Sequence, residues 1–323
     1  MSTKKKYLVV VILTVLLIGF LFSSAVAEDF PSKTIRLVAA GSVGGGGDRI
    51  SRIIASFAPE YCPVPMLVIT MPGASDTLGI NYVIDSKPDG YTILTHASPT
   101  METIGLIQGA FDIRELRGVI QTAVDGYAIT VPEDSPFETL NDLIEYARKN
   151  PKKVTVSNAG IGYTSHLNMV MFERHYGIQL THVPYEGGAG AILALLSGDV
   201  DATCSSISSL VSAAKGGYLR LLAIGDRERD SSFPEVPTLI ELGYEKVFAQ
   251  NRGIYVPVDT PQEVVDYLED LFTKILNNPS YLSLAEKLEF KTFTLGADDF
   301  TKMIYERWDE YKPLLEEMGM IKK

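Results

Sequence analysis

The stretch Ala39-Ala40-Gly41-Ser42-Val43-Gly44-Gly45-Gly46-Gly47-Asp48 decides how this chain is read. It follows an apolar run, Thr34 to Val38, and opens a segment in which Ile50, Ile53, Ile54 and Phe57 recur at i, i+3, i+4 and i+7. That spacing predicts a helix with one buried face, and the run before it reads as a strand. A strand, a glycine loop and a helix N-terminus leave backbone N–H groups unpaired where an anion can sit. Glycine lets such a loop take up positive φ and approach a ligand closely. A single loop of this kind is equally an ordinary strand-to-helix turn. The weight comes from its recurrence.

Further along, strand Val154–Ser157 leads to Gly160-Ile161-Gly162 and a helix from Thr164. Strand Leu180–Pro184 leads to Gly187-Gly188-Ala189-Gly190 and the apolar helix Ile192–Leu196. Other strand runs are read at Met66–Thr70, Tyr91–Thr95 (introduced by the turn Pro88-Asp89-Gly90), Gly118–Ala123, Tyr127–Val131, Asp201–Cys204, Leu219–Ile224 and Gly253–Val256. Asp125-Gly126 reads as a turn between the fourth and fifth of the ten. Thr139 and Asp142 predict a capping box ahead of Leu140, Leu143, Ile144 and Ala147, with Asn150-Pro151 as the stop. The tail reads as helices over Gln262–Leu276, Ser280–Leu288 and Asp298–Met318.

Alternating strands and helices imply an α/β fold with largely parallel sheets. The strands fall into two sets of five, and Gly253–Val256 lies far from its partners in the first. Returning there takes the chain between two lobes twice, near residues 124–127 and 245–252. Two lobes joined by two crossings form a clamshell that hinges on a ligand. The divisions expected are 1–27 as a signal peptide, 28–124 plus 251–323 as lobe 1, and 125–250 as lobe 2.

The signal peptide rests on Lys4, Lys5 and Lys6, the apolar run Tyr7 to Phe22, and the small residues Ala25-Val26-Ala27 before Glu28. An uncleaved anchor is the rival reading, but no second long apolar run follows. No cysteine follows the apolar run to suggest a lipoprotein. Cleavage after Ala27, with release into the periplasm, is the expectation. Three lysines leave with the signal, taking the formal net charge from −11 to about −14. Such a surface discourages nucleic acid and anionic membranes. Cys62 and Cys204 are too few for a disulfide framework; they pair with each other or remain buried thiols.

At this point the residues resemble a known family. Phe30-Pro31-Ser32-Lys33-Thr34-Ile35-Arg36, followed by the Gly44–Asp48 loop, is similar to the start of the Bug family, the solute-binding proteins of tripartite tricarboxylate transporters. Pro72-Gly73-Ala74, Lys87-Pro88-Asp89-Gly90-Tyr91-Thr92 and Ser157-Asn158-Ala159-Gly160-Ile161-Gly162 follow in order. Then come His182-Val183-Pro184-Tyr185-Glu186-Gly187-Gly188-Ala189 and Pro234-Glu235-Val236-Pro237-Thr238, with Glu241 and Gly243. Each motif is weak alone; their number, order and spacing make the set specific.

The resemblance implies a two-lobed type II periplasmic binding-protein fold with a small carboxylate in the interlobe cleft. It also implies a membrane permease of the tripartite tricarboxylate type as partner. Carried over, Ser42, Val43, Gly44, Gly45 and Gly46 contribute one lobe's contacts, and Tyr185, Gly187, Gly188 and Ala189 the other's. Two departures bear on ligand identity. Thr70-Met71 stands where the family often has Asn before Pro-Gly-Ala, and Asn251 replaces the usual aromatic residue before the final strand.

Main-chain N–H groups are expected to do most of the carboxylate binding, because the loops at Gly44–Gly47 and Gly187–Gly190 contain no lysine or arginine. Arg49 or Arg252 would be the charged clamp if that account fails. Ser42, Thr164 and Ser165 add hydroxyl donors, and Ser98 and Ser205 complete the candidate set. Asp48 is either a first-turn cap or a ligand contact. His166 either reaches the cleft or serves as a capping or packing residue, and Tyr185 either lays its ring on the ligand or is a core or lobe-interface ring.

His96, His166, His175 and His182 show no metal-ligand spacing, so no metal or cofactor is expected. No nucleophile elbow, phosphate-binding loop or dinucleotide fingerprint appears. The expectation is a monomeric exported solute-binding protein, not an enzyme. A sensor subunit signalling to a receptor kinase is the alternative, and an exported enzyme on small acids a weaker one.

Overall fold

The computed structural model describes residues 30–321 except 246 and 289. The expected signal peptide and its cut after Ala27 lie outside the described residues. The first half of the chain runs β1 (Ile35–Ala40), α1 (Gly46–Phe57), β2 (Met66–Met71), α2 (Thr77–Ile84), β3 (Thr92–Ser98), α3 (Thr100–Gln108) and β4 (Leu116–Pro132). It continues with α4 (Leu140–Lys149), β5 (Thr155–Asn158), α5 (Thr164–Tyr176), β6 (Thr181–Pro184), α6 (Gly187–Leu196), β7 (Ala202–Ser206), α7 (Ile207–Lys215) and β8 (Leu219–Ile224). Last come β9 (Ala249–Pro257), α8 (Gln262–Leu276), α9 (Pro279–Lys287), β10 (Lys291–Leu295) and α10 (Ala297–Glu317).

Two sheets share β4. The first has the order β2-β1-β3-β9-β4-β10, and the second β6-β5-β7-β4-β8. Each contains three mutually parallel strands, β2-β1-β3 and β6-β5-β7. The strands that cross between lobes run antiparallel to their neighbours, so the sheets are mixed rather than largely parallel. Helices cover both faces. Along β1, Leu37 faces a core shared with α1 and α8, and Val38 faces one shared with α2 and α10. A strand buried on both sides reads as a continuous apolar run, which is why Ile35–Ala40 was legible as a strand. The second sheet repeats this, with Val156 facing α4 and α5, and Ala128 facing α6 and α7.

The Thr139–Asp142 capping box forms as read: Thr139 N donates to Asp142 Oδ2 at 2.8 Å, and Asp142 N to Thr139 Oγ1 at 3.2 Å. The Asp125-Gly126 turn does not form. Asp125 pairs with Gln250 and Gly126 with Ala249, and β4 continues straight through. The Asp125 side chain accepts from Ser208 N (3.3 Å) and Ser208 Oγ (2.6 Å) instead of bonding its own backbone, which removes the local reason to turn. Cys62 and Cys204 are free and buried in different cores. Among the described residues no helix is long and apolar enough to cross a membrane.

Candidate functional site

A cleft of about 1080 Å³ opens between the loops at the ends of the parallel strands of both sheets. Both glycine loops read from the sequence border it, as do Tyr127, Gln250 and Arg252 from the crossing strands. The loops approach each other across the lobes: Ser42 Oγ lies 3.4 Å from where a Cβ on Gly187 would stand. Left-handed backbone is needed at Gly44 (φ +75°) and Gly187 (φ +80°), not at Gly45 or Gly188.

Of the helix N-termini that border this cleft, those of α1, α5, α6 and α7 divide into two kinds. In α5, Thr164 N donates to Thr100 Oγ1 (3.4 Å), and the two threonine hydroxyls lie 2.6 Å apart. In α7, Ser208 donates to Asp125. None of the four is capped by its own N-cap side chain, but α1, entered from Gly45, and α6, entered from Glu186, also lack a side-chain acceptor from elsewhere among the described residues. Their first-turn N–H groups have no acceptor within the helix, and the helix dipole makes that end positive.

Ser42, Gly44, Gly45, Gly46, Ser165, Tyr185, Gly187, Gly188, Ala189 and Ser205 all border the cleft. Tyr185 also packs against the second lobe's core, in keeping with its packing reading. Ser165 Oγ accepts from Ala159 N (3.0 Å), and Ser205 Oγ bonds Thr203 Oγ1 (3.1 Å).

Other candidates move away from the cleft. Val43 is 74 % exposed at the loop tip and does not border it. Ser98 is buried beneath lobe 1, donating to Glu102 and accepting from Arg307 Nη1 (2.8 Å). Thr164 spends its hydroxyl on Thr100. His166 is half-buried behind its loop, where Nδ1 accepts from Gly162 N (3.3 Å) and the ring meets His182 edge-on. Burial, with His182 beside it, lowers its pKa to about 4.

Asp48 borders the cleft, but its carboxylate is already engaged. It accepts from Gly44 N (2.9 Å), from Arg52 Nε (3.1 Å) and Nη2 (2.8 Å), and from the Thr70 hydroxyl. Burial raises its pKa, but the donors from Arg52, Thr70 and Gly44 outweigh this and hold it below the usual carboxylate range. Through Gly44 N, Asp48 braces the glycine loop ahead of α1, close to the cap-like reading. Thr70, one family departure, is part of that brace. Asn251, the other, is buried in lobe 1, donating to Gln121 Oε1 (3.0 Å) and accepting from Arg307 Nη2 (2.9 Å). Neither lines the cleft.

Several cleft residues were not singled out as contacts. His96 Nε2 lies 3.1 Å from Asp76 Oδ2, and both border the cleft. Ala74, Ser75 and Asp76 are three successive left-handed residues (φ 49°, 50° and 70°), a strained turn on the cleft wall. Arg252, only 7 % exposed, extends from β9 to the α1 N-terminus, where a Cβ on Gly46 would stand 2.3 Å from Nη2. From the sequence Arg252 was legible only as a charge just ahead of the apolar run Gly253–Val256. Among the described residues no group of three or more His, Cys, Asp and Glu side chains could hold a metal ion.

Two α/β lobes joined by crossing strands, with a polar cleft built from helix N-termini, define a two-lobed solute-binding protein. The comparisons place it more closely. The profile of the tripartite tricarboxylate transporter family receptor, TctC, matches residues 50–320, and the chain belongs to that family. A relative from Cupriavidus necator, known as the UPF0065 protein in the gbd 5′ region, is 31% identical over 301 residues, spanning 93% of this chain and 92% of its own. A TctC solute-binding protein from Polaromonas has a similar structure (TM-score 0.73, 28% identity, 89% of this chain and 99% of that one). An R. palustris protein solved with adipate shares the fold (TM-score 0.82, 24% identity, 90% of this chain and 99% of that one).

Proposed function

We propose that the cleft captures a small organic carboxylate between the glycine loops of α1 and α6, and that the loaded protein delivers it to a tripartite tricarboxylate-type permease. The observation that carries this reading is the pair of uncapped helix N-termini facing one cleft from opposite lobes. An anion placed there meets first-turn main-chain donors, of which only Gly187 N is already committed among the described residues, to Ala159 O and Tyr185 O (both 3.1 Å). Ser42, Ser165, Tyr185 and Ser205 supply hydroxyls around it. Beyond the α6 loop, Ile192, Leu193 and Leu196 line the cleft, and Leu193 is 64 % exposed. They give the ligand's hydrocarbon part an apolar wall. The chain acts as a monomer in the periplasm after cleavage behind Ala27, with 28–124 plus 251–323 and 125–250 as its moving parts.

A thermal-shift screen tests the reading, with malate, adipate, citrate and benzoate set against sugars and amines. A bound acid at 100 times its Kd adds roughly 2.7 kcal/mol of stability. A shift with sugars or amines and none with acids would refute the carboxylate assignment.

A further inference from the structure

The Arg252 guanidinium is buried at the edge of the cleft with its donors largely unspent. Nη2 donates to Gln250 Oε1 (3.1 Å) and stands 3.5 Å from Asp125 Oδ2, but Nε is buried with no partner. A guanidinium carries five N–H donors, and leaving one buried and unmatched is unfavourable. Native proteins keep few such groups, so each needs an explanation.

Its surroundings sharpen the point. The guanidinium lies against Gly46, the first residue of α1, so a full positive charge faces the positive end of an uncapped helix. The carboxylates nearby are already engaged. Asp48 is held by Arg52, Thr70 and Gly44, and Asp125 is tied to the α7 N-terminus through Ser208. Arg49 donates to Leu288 O (3.2 Å) and covers the Phe290 ring. Between Arg252 and α1 the protein has two cationic features and no anion of its own to satisfy both.

We propose that Arg252 is the cationic anchor for the ligand's carboxylate, holding it against the α1 N-terminus, with Asp125 as the counter-ion that keeps the guanidinium in place before the ligand arrives. This rests on the carboxylate reading of the cleft and takes the charged-clamp alternative over neutral main-chain donors alone. It also gives Gly46 a role, since a Cβ there would stand 2.3 Å from Nη2 and displace the guanidinium.

The test is calorimetry with malate, adipate and benzoate, each paired with its uncharged amide, on wild type, R252Q and R252K. Wild type is expected to prefer acid to amide. R252Q loses about 10- to 100-fold in acid affinity, the range for one hydrogen bond to a charged group, and loses distinctly less with the amide, whose carbonyl takes only a neutral hydrogen bond. R252K recovers part of the preference. Should R252Q fail to fold, the double variant R252Q/D125N removes both charges and carries the same comparison. Undiminished preference for acid in whichever of these variants folds overturns the anchor and leaves the carboxylate reading standing. Wild type that binds none of the acids overturns both.

Discussion

The N-termini of α5 and α7 and those of α1 and α6 reach the same cleft, yet the protein finishes only the first two. Thr100 serves α5 and Asp125 serves α7, whereas α1 and α6 open from glycine-rich loops with no such side-chain acceptor among the described residues. A helix terminus completed internally is scaffold. One left open in a polar cleft is available to something else. The difference teaches that a glycine loop is informative less for its flexibility than for the cap it withholds.

The contrast is broken most directly at α6. A Cβ on Gly188 meets nothing within 4 Å, so G188V fills cleft space rather than core. Acid binding should fall about 10- to 100-fold, the scale of a 1–3 kcal/mol overpacking penalty. The unliganded stability should move by no more than about 0.5 kcal/mol. Unchanged calorimetric affinity would place the ligand away from α6.

At α1 the brace can be removed without touching the open donors. D48N leaves Arg52 and Thr70 poorly matched and should lower stability by about 1–3 kcal/mol in denaturant unfolding. Its pH dependence has a fixed sign. The native carboxyl sits below its unfolded value, near 3.9, so its contribution is present above that pH and fades as the pH falls through the lower native value. The stability difference between wild type and D48N should therefore narrow in acid.

At α5, T100V removes the acceptor for Thr164 N. A loss of about 1 kcal/mol, as for a missing cap, should come with unchanged acid affinity. Weakened binding would mean that the closed termini also serve the ligand.

The smallest effect concerns His166. Its native pKa of about 4 lies below the ordinary 6.5, so the neutral ring's contribution is complete above 6.5 and lost progressively down to about 4. Its imidazole resonance should titrate near pH 4, and adding acid ligand should not move the midpoint. A ligand-dependent midpoint would bring His166 back to the cleft.

The parts of this molecule governed by local pattern were legible in the sequence. The glycine loops, the α1 face of Ile50, Ile53 and Ile54, and the α4 capping box all appear where the spacing put them. Elements lacking contrast were not. Thr100–Gly105 is buried throughout, so α3 shows no polar face to set its period. The short strand β10 is largely exposed, without clean alternation. Asp125-Gly126 carried a strong turn signal that a distant serine overrode. Arg252 was legible only as a fallback clamp and His96 not as a cleft residue at all, for the same reason: a polar residue in a strand gives no hint of which loop from another part of the chain will meet it.

The strand β4 is 17 residues long and passes from one lobe into the other without a break. At the crossing it stays paired with β9 through Val124↔Asn251, Asp125↔Gln250 and Gly126↔Ala249. The lobes are therefore connected by a two-stranded ribbon rather than by slack tethers. Any rotation of one against the other must be stored as torsion along that ribbon, whose own hand and stiffness set the direction and reach of the stroke.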